Sequence, residues 1–313
     1  MRNATTEAIW DVCHEAKKIS QTAIDMNRKI IIIGESSLDV IFDSDRPTAS
    51  YPGGVLLNAA ACLGAKKHQV SFVSEAANDH VGDIIVRFLE SNNVEVRSID
   101  RYTEGATPVR LIFRGDTESA VRYGSYPQES FGVVWPRIDP DDIVVFGGNY
   151  SLDPRGHDRI YDIVKYAAER HAIVIYVPNF DISRVNRITK VMPAILENFE
   201  SSNLVVTRTA DLRDIFGKES DEKAFKDHVS FYSFNMINFD TVSDKLKFYH
   251  RKAVEELNVG IEPDHTHRFA GIVAGIIDSI IAGDITCADF DNLEEPVCGK
   301  ILTDSVNFAK QSI

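Results

Sequence analysis

The chain has 313 residues and a formal charge of −13, which repels a nucleic-acid backbone over most of the surface. Its 44% hydrophobic and 26% charged residues suit a globular protein with a large buried core. The four cysteines, Cys13, Cys62, Cys287 and Cys298, are scattered and form no CxxC pair, so nothing in their spacing suggests a disulfide framework or a zinc knuckle.

Residues 1–28 read as an appended helix, with Ile9, Val12, Cys13, Ala16, Ile19 and Ala23 at helical spacing. Glu7, Asp11, Glu15, Lys17 and Lys18 leave no apolar run resembling a signal peptide. The longest apolar stretch, Gly271 to Gly283, is interrupted by Asp278 and is too short to span a bilayer. The expected compartment is the cytoplasm, with no membrane or nucleic-acid partner.

From residue 29 an α/β alternation begins. Lys29–Ile33 predicts a strand buried on both faces, Val55–Leu63 a helix, Gln69–Val73 a strand, and Asp79–Asn92 a helix capped by Asn78 or Asp79. Over 107–123 the pattern alternates, with Val109, Leu111 and Phe113 on one face and Arg110, Ile112 and Arg114 on the other. Gly115-Asp116 between the two runs predicts a hairpin. Strands at Ile143–Phe146, Ile173–Val177 and Leu204–Val206 then alternate with helices over 157–170 and 187–198. The expected architecture over 29–313 is a mainly parallel sheet with helices on both faces. The uncovered segments within about 40–52 and 107–123 form a small β lid.

Three segments in order carry a family resemblance: Gly34-Glu35-Ser36-Ser37-Leu38-Asp39, Pro52-Gly53-Gly54-Val55-Leu56-Leu57-Asn58, and Ser74 through Gly82. Ile143–Gly148 and Ile173–Asn179 add a strand ending in two glycines and a strand leading into a Pro-Asn turn. Together they resemble the ribokinase-type (PfkB) carbohydrate kinases. The resemblance implies a ribokinase-like fold, a sugar as the small-molecule partner and a homodimer through the lid. It implies that Asp39 and Asn58 bind sugar hydroxyls, that Gly53 and Gly54 let the backbone approach the sugar, and that Asn149 is a further contact. Each of these residues also has a plain structural reading as a turn or cap.

The residues that such kinases use for phosphoryl transfer are replaced. The family signature DTxGAGD precedes an apolar helix, recognisable here as Gly271-Ile272-Val273-Ala274-Gly275, and the upstream run reads Asp264-His265-Thr266-His267-Arg268-Phe269-Ala270. In the signature, a glycine turn at the helix N-terminus seats the charge of the transferred group and the last Asp is the general base. Ala270 occupies the base position, and His267, Arg268 and Phe269 replace the glycine turn. The family's "DPNxR" turn reads Val177-Pro178-Asn179-Phe180-Asp181, its "NxxE" segment reads Arg208-Thr209-Ala210-Asp211, and its "TxGxxG" turn has no counterpart in Phe231–Tyr249. Asn179, Arg208 and Asp211 therefore mark a degenerate nucleotide site.

The expectation is a catalytically impaired pseudokinase that keeps a sugar cleft, needs no cofactor and holds no metal. Three alternatives stay open. The first is an active kinase using Mg-ATP, with His267 or Asp264 as substitute base; the second, a metal site from Asp264, His265 and His267 with His250. The third is a scaffold that binds neither ligand.

Overall fold

The computed structural model describes residues 28–114, 119–127, 131–154, 156–251, 253–261 and 267–312. The helical extension expected over 1–28 lies outside them except for Arg28. That side chain is buried on the domain, donating from Nε to the Asp141 carbonyl (2.7 Å) and from Nη2 to that of Ile285 (2.9 Å).

Five strands of the main sheet are short and buried on both sides, as parallel strands must be. They are β1 (Lys29–Ile33), β4 (Gln69–Ala77), β9 (Ile143–Gly147), β10 (Ile173–Val177) and β11 (Leu204–Arg208). Alternation along β1 sends Ile30 and Ile32 into one core and Ile31 and Ile33 into the other. Over the first face pack α1 (Val55–Ala65), α2 (His80–Ser91), α7 (Arg268–Ala282) and α8 (Glu295–Ser312). Over the second pack α3 (His157–Glu169), α4 (Ile188–Glu200), α5 (Thr209–Phe216) and α6 (Asp221–Asp227).

The sheet runs β14-β13-β12-β11-β10-β9-β1-β4-β5, where β5 is Val94–Glu95, and β6 (Ile99–Tyr102) also pairs with β4. All neighbours from β5 to β12 (Asn235–Asp240) are parallel. The antiparallel edge of β12, β13 (Lys245–His250) and β14 (Ala253–Asn258) is an addition to the expected architecture. Half-buried Ala253, Glu255 and Leu257 alternate with exposed neighbours there, the pattern of a strand with one wet face.

The lid is a separate four-stranded sheet, β3 (Arg46–Gly53), β2 (Ser37–Asp43), β7 (Val109–Arg114) and β8 (Ser119–Tyr123), in that order. The expected hairpin is the antiparallel β7–β8 pair, its tip at 115–118 outside the described residues. β2 pairs with β7 in parallel, which joins the two lid segments into one sheet. Asp79 caps α2, its carboxylate accepting the Gly82 N–H at 2.7 Å. Among the described residues no helix is long and apolar enough to cross a membrane.

Candidate functional site

Period-two alternation on β2 buries Ser37, Asp39 and Ile41 on the lid's inner face. Asp39, 1% exposed, is placed by register beside Tyr51 on β3 and Arg110 on β7, and Arg110 lies directly opposite Arg122 on β8. A row Tyr51–Asp39–Arg110–Arg122 thus crosses the inner face. The Asp39 carboxylate accepts from Ser37 Oγ (2.9 Å) and from the Arg110 fork, through Nε at 3.2 Å and through Nη2.

Gly53 faces this carboxylate so closely that a Cβ would lie 2.1 Å from Asp39 Oδ1. Gly54 has φ of 124°, and a Cβ there would lie 2.6 Å from the Glu35 carbonyl oxygen. The glycine pair therefore admits the protein's own carboxylate and backbone at the start of α1. Asn58 is buried, and its Nδ2 donates to the carbonyls of Pro52 (3.1 Å) and Gly54 (2.9 Å), holding the turn.

The strand ends supply a second set of groups, where ligands of open α/β sheets bind. Glu35, just past β1, accepts from Arg184 Nη1 at 2.7 Å and lies 3.7 Å from Arg122 Nη2. The Tyr126 hydroxyl donates to the Ser36 carbonyl (2.9 Å) and accepts the Ser36 N–H (3.2 Å). Tyr150 donates to buried Glu75 at 2.5 Å, and burial raises the pKa of both tyrosines above the usual phenol value. Asn149 Oδ1 accepts from the Asp181 N–H (2.9 Å) and from Arg184 Nη1 (3.1 Å), tying the end of β9 to the loop after β10.

A cavity of about 650 Å³ opens here, lined by Arg122, Gly124, Ser125, Tyr126, Asp153, Pro154 and Arg184. It shares Asp153, Pro154 and Arg184 with a neighbouring cavity of about 750 Å³ that Asn149 also lines. Asp39, Gly53, Gly54 and Asn58 gather at β2, β3 and α1 and are not lining residues of either cavity. Glu35, Arg110, Arg122, Tyr126, Tyr150 and Arg184 were not singled out from the sequence. For Arg110 a signal existed: it shares a strand face with Ile112, which is buried.

The corner where α7 begins is packed with side chains. His267 is the residue before α7, and the first turn holds Arg268, Phe269 and Ala270, all buried. The Arg268 guanidinium pairs with Asp244 and lies 4.8 Å from the Phe239 ring centroid. Burial lowers its pKa. Phe269 stacks on Phe239 at 6.3 Å, and Arg208 sits 5.4 Å from the Phe269 ring. Arg208 in turn forks onto buried Asp211, Nη2 to Oδ1 at 2.6 Å and Nε to Oδ2 at 3.1 Å. The His267 ring meets Tyr51 edge-on at 4.8 Å.

Asn179 adopts φ of 33° in the turn after β10, and Asp181 caps the Ser183 N–H at 3.0 Å. Asp264 and His265 lie outside the described residues. His250 sits at the far end of β13 from Lys245, about 17 Å along the strand at 3.4 Å per residue, bonded to Asn235 Oδ1 at 2.6 Å. It is therefore held away from the Asp244–Arg268 corner where α7 begins, which removes it from a metal set with His267. Among the described residues no group of three His, Cys, Asp or Glu could hold a metal ion.

Comparison with known proteins gives the same fold. A crystal structure of fructokinase with bound ATP from Xylella fastidiosa superposes with a TM-score of 0.72 at 15% identity, covering 91% of this chain and 93% of that one. Aminoimidazole riboside kinase from Salmonella enterica, complexed with aminoimidazole riboside and an ATP analogue, gives 0.72 at 12% identity over 88% and 90%. Fructokinase from Vibrio cholerae O395, with fructose, ADP and calcium, gives 0.74 at 14% identity over 91% of each chain. No curated protein matches the chain at a significant level. The family model of the pfkB family carbohydrate kinases matches residues 27–230, more than half of the sequence, and the chain belongs to that family.

Proposed function

We propose that this chain is a pseudokinase: it keeps the sugar end of the family cleft and does not transfer phosphate. One observation carries the reading: Arg268, Phe269 and Ala270 are buried in the first turn of α7, where the family places a glycine turn and an aspartate. An alanine accepts no proton, and losing a general base costs about 10²–10⁴ in rate. A blocked anion seat costs about a further 10²–10³. Arg208 and Asp211, forked together, and Phe269, stacked on Phe239, stand at positions of the family's nucleotide-side motifs, which supports the reading. The family match stops at residue 230, ahead of Phe239 and the first turn of α7, although it includes Arg208 and Asp211.

In this reading the protein works in the cytoplasm as a sugar-responsive binding or regulatory subunit, with no cofactor. Asp39, Gly53, Gly54, Asn58 and Asn149 build the sugar end. A second copy of the chain covers the lid's outer face, where Leu38, Val40, Phe42, Val109, Leu111 and Phe113 are only half-buried and Phe42 stacks on Phe113 at 4.9 Å.

A second reading has its own support. His267 touches Tyr51, the strand neighbour of Asp39, so its imidazole lies near the sugar end and would serve as base in an active Mg-ATP kinase. Melting temperature with Mg-ATP and with a panel of sugars, each alone, separates the two. A ligand at about 100 times its Kd adds roughly 2.7 kcal/mol to stability. Stabilisation by a sugar and none by Mg-ATP is expected. Stabilisation by Mg-ATP, with sugar phosphorylation abolished by His267→Ala, would establish the active kinase instead.

A further inference from the structure

We infer that the N-terminal segment folds back on its own domain as an amphipathic helix, with residues 9–23 covering an aromatic patch where β12 begins. The inference is independent of the pseudokinase reading, because the cleft lies at the other end of the parallel strands. Phe231, Tyr232 and Phe234 lead into β12 and are all exposed, Phe231 at 76% and Phe234 at 45%. Single exposed apolar side chains are ordinary, but three aromatic rings within four residues form a patch that marks a contact surface. Val229, fully buried, anchors the turn that carries them. Alternation along β12 sends Met236 into the second core and Ile237 into the first, so Phe234 lies on the second face. Register adds Val254, 48% exposed, which stands opposite Tyr249 as Tyr249 stands opposite Met236. Arg251 borders the patch. Its guanidinium lies 4.5 Å from the Phe234 ring and donates through Nη2 (2.6 Å) and Nε (3.0 Å) to the Asp291 carbonyl. A carbonyl does not neutralise it, so the charge is open to a carboxylate from a covering segment.

The chain's entry into the domain favours its own N-terminal segment as the cover. Arg28 is fastened to the carbonyls of Asp141 and Ile285 at the start of β1. β12 begins at the same end of the sheet, four strands away, or about 19 Å at 4.8 Å per strand. The chain from Ile285 to Asp291 bridges that interval. Ile285 accepts from Arg28, Cys287 Sγ from Asn203 Nδ2 at 3.6 Å, and the Asp291 carbonyl from Arg251. Ile9, Val12, Cys13, Ala16, Ile19 and Ala23 make an apolar stripe about 21 Å long at 1.5 Å per residue, which matches the interval. Glu7, Asp11 and Glu15 follow at four-residue spacing beside that stripe and bring carboxylates toward Arg251. A segment tethered this near meets the patch at an effective concentration on the order of millimolar, so even a weak apolar contact stays occupied.

Amide hydrogen exchange on the full chain tests this against two double variants, Phe231→Ser/Phe234→Ser and Ile9→Ser/Ile19→Ser. In the parent protein the amides of residues 9–23 should be protected about ten-fold or more over free-peptide rates. In each variant that protection should fall to about two-fold or less, while the amides of β1 and β9 keep theirs and so report an intact domain. Free-peptide exchange over 9–23 in the parent would overturn the inference and leave the patch to a separate partner. Protection that survives in either variant would also overturn it. So would protection that rises with protein concentration, by showing that the segment docks on a second copy of the chain.

Discussion

The lid and the start of α7 use the same residue types to opposite effect. At the lid, Asp39 clasps Arg110, and Arg184, held by Glu35, lines an open cavity. At the start of α7, Arg268 and Arg208 lie across Phe239 and Phe269 and pair with partly exposed Asp244 and buried Asp211 respectively. A paired guanidinium thus borders an open space at Arg184 and occupies one where it lies against rings at the start of α7. Restoring a single aspartate at position 270 would leave the filling in place.

The comparison breaks most sharply at Arg110. Arg110→Ala leaves the Asp39 carboxylate buried with Ser37 as its remaining hydrogen-bond donor, an uncompensated charge that should cost about 3 kcal/mol in denaturant unfolding. Asp39→Ala leaves a guanidinium that is 42% exposed and hydrated, so it should cost only about 1 kcal/mol while removing sugar-induced stabilisation. Equal costs for the two variants would mean that the row across the lid does not behave as a buried, directional pair.

Arg268→Ala probes the other end with a smaller effect. Asp244 is 39% exposed and loses its partner cheaply, and a cation on an aromatic face contributes about 0.5–1 kcal/mol. Stability should fall by less than about 1 kcal/mol. Mg-ATP should still give no change in melting temperature, because Phe269 and Arg208 keep their places. A nucleotide-dependent stabilisation in this variant would identify Arg268 alone as the plug and weaken the account of a corner filled by several residues.

The sheet was legible because strands buried on both faces leave an unmistakable record, as in the four isoleucines of β1. Asp39 and the glycine pair were legible as a motif, yet the motif does not say that Asp39 is clasped by Arg110, since β2 and β7 lie 71 residues apart and meet only through the parallel lid pairing. Glu35, Arg122 and Arg184 are likewise joined by strand ends that converge in space. The antiparallel edge was missed because Lys245–His250 carries two lysines and a histidine among its apolar residues, which hides a strand that the fold half-buries. Replacement of the glycine turn was readable directly, whereas the stacking of Phe269 on Phe239 was not.

A pH-dependent effect sharpens the comparison from the root of the lid. Asp79 caps α2 and also accepts from the Thr107 N–H (2.9 Å) and Thr107 Oγ1 (2.8 Å), fastening the root of β7 to the main sheet. Burial alone would raise its pKa, but hydrogen bonds from Gly82 and Thr107 outweigh that and hold it below the usual carboxylate value. A depressed folded-state pKa makes the contribution fully present above the unfolded pKa of about 3.9 and lost as pH falls through the lower folded value. Asp79→Ala should therefore cost about 1–2 kcal/mol at pH 7, as for other lost caps, with the gap to the parent protein closing below about pH 4. Because Thr107 leads into the strand that carries Arg110, sugar-induced stabilisation should weaken in the variant while the first turn of α7 is untouched. A gap that stays constant from pH 3 to 7 would show that the carboxylate's charge is not what fastens the lid.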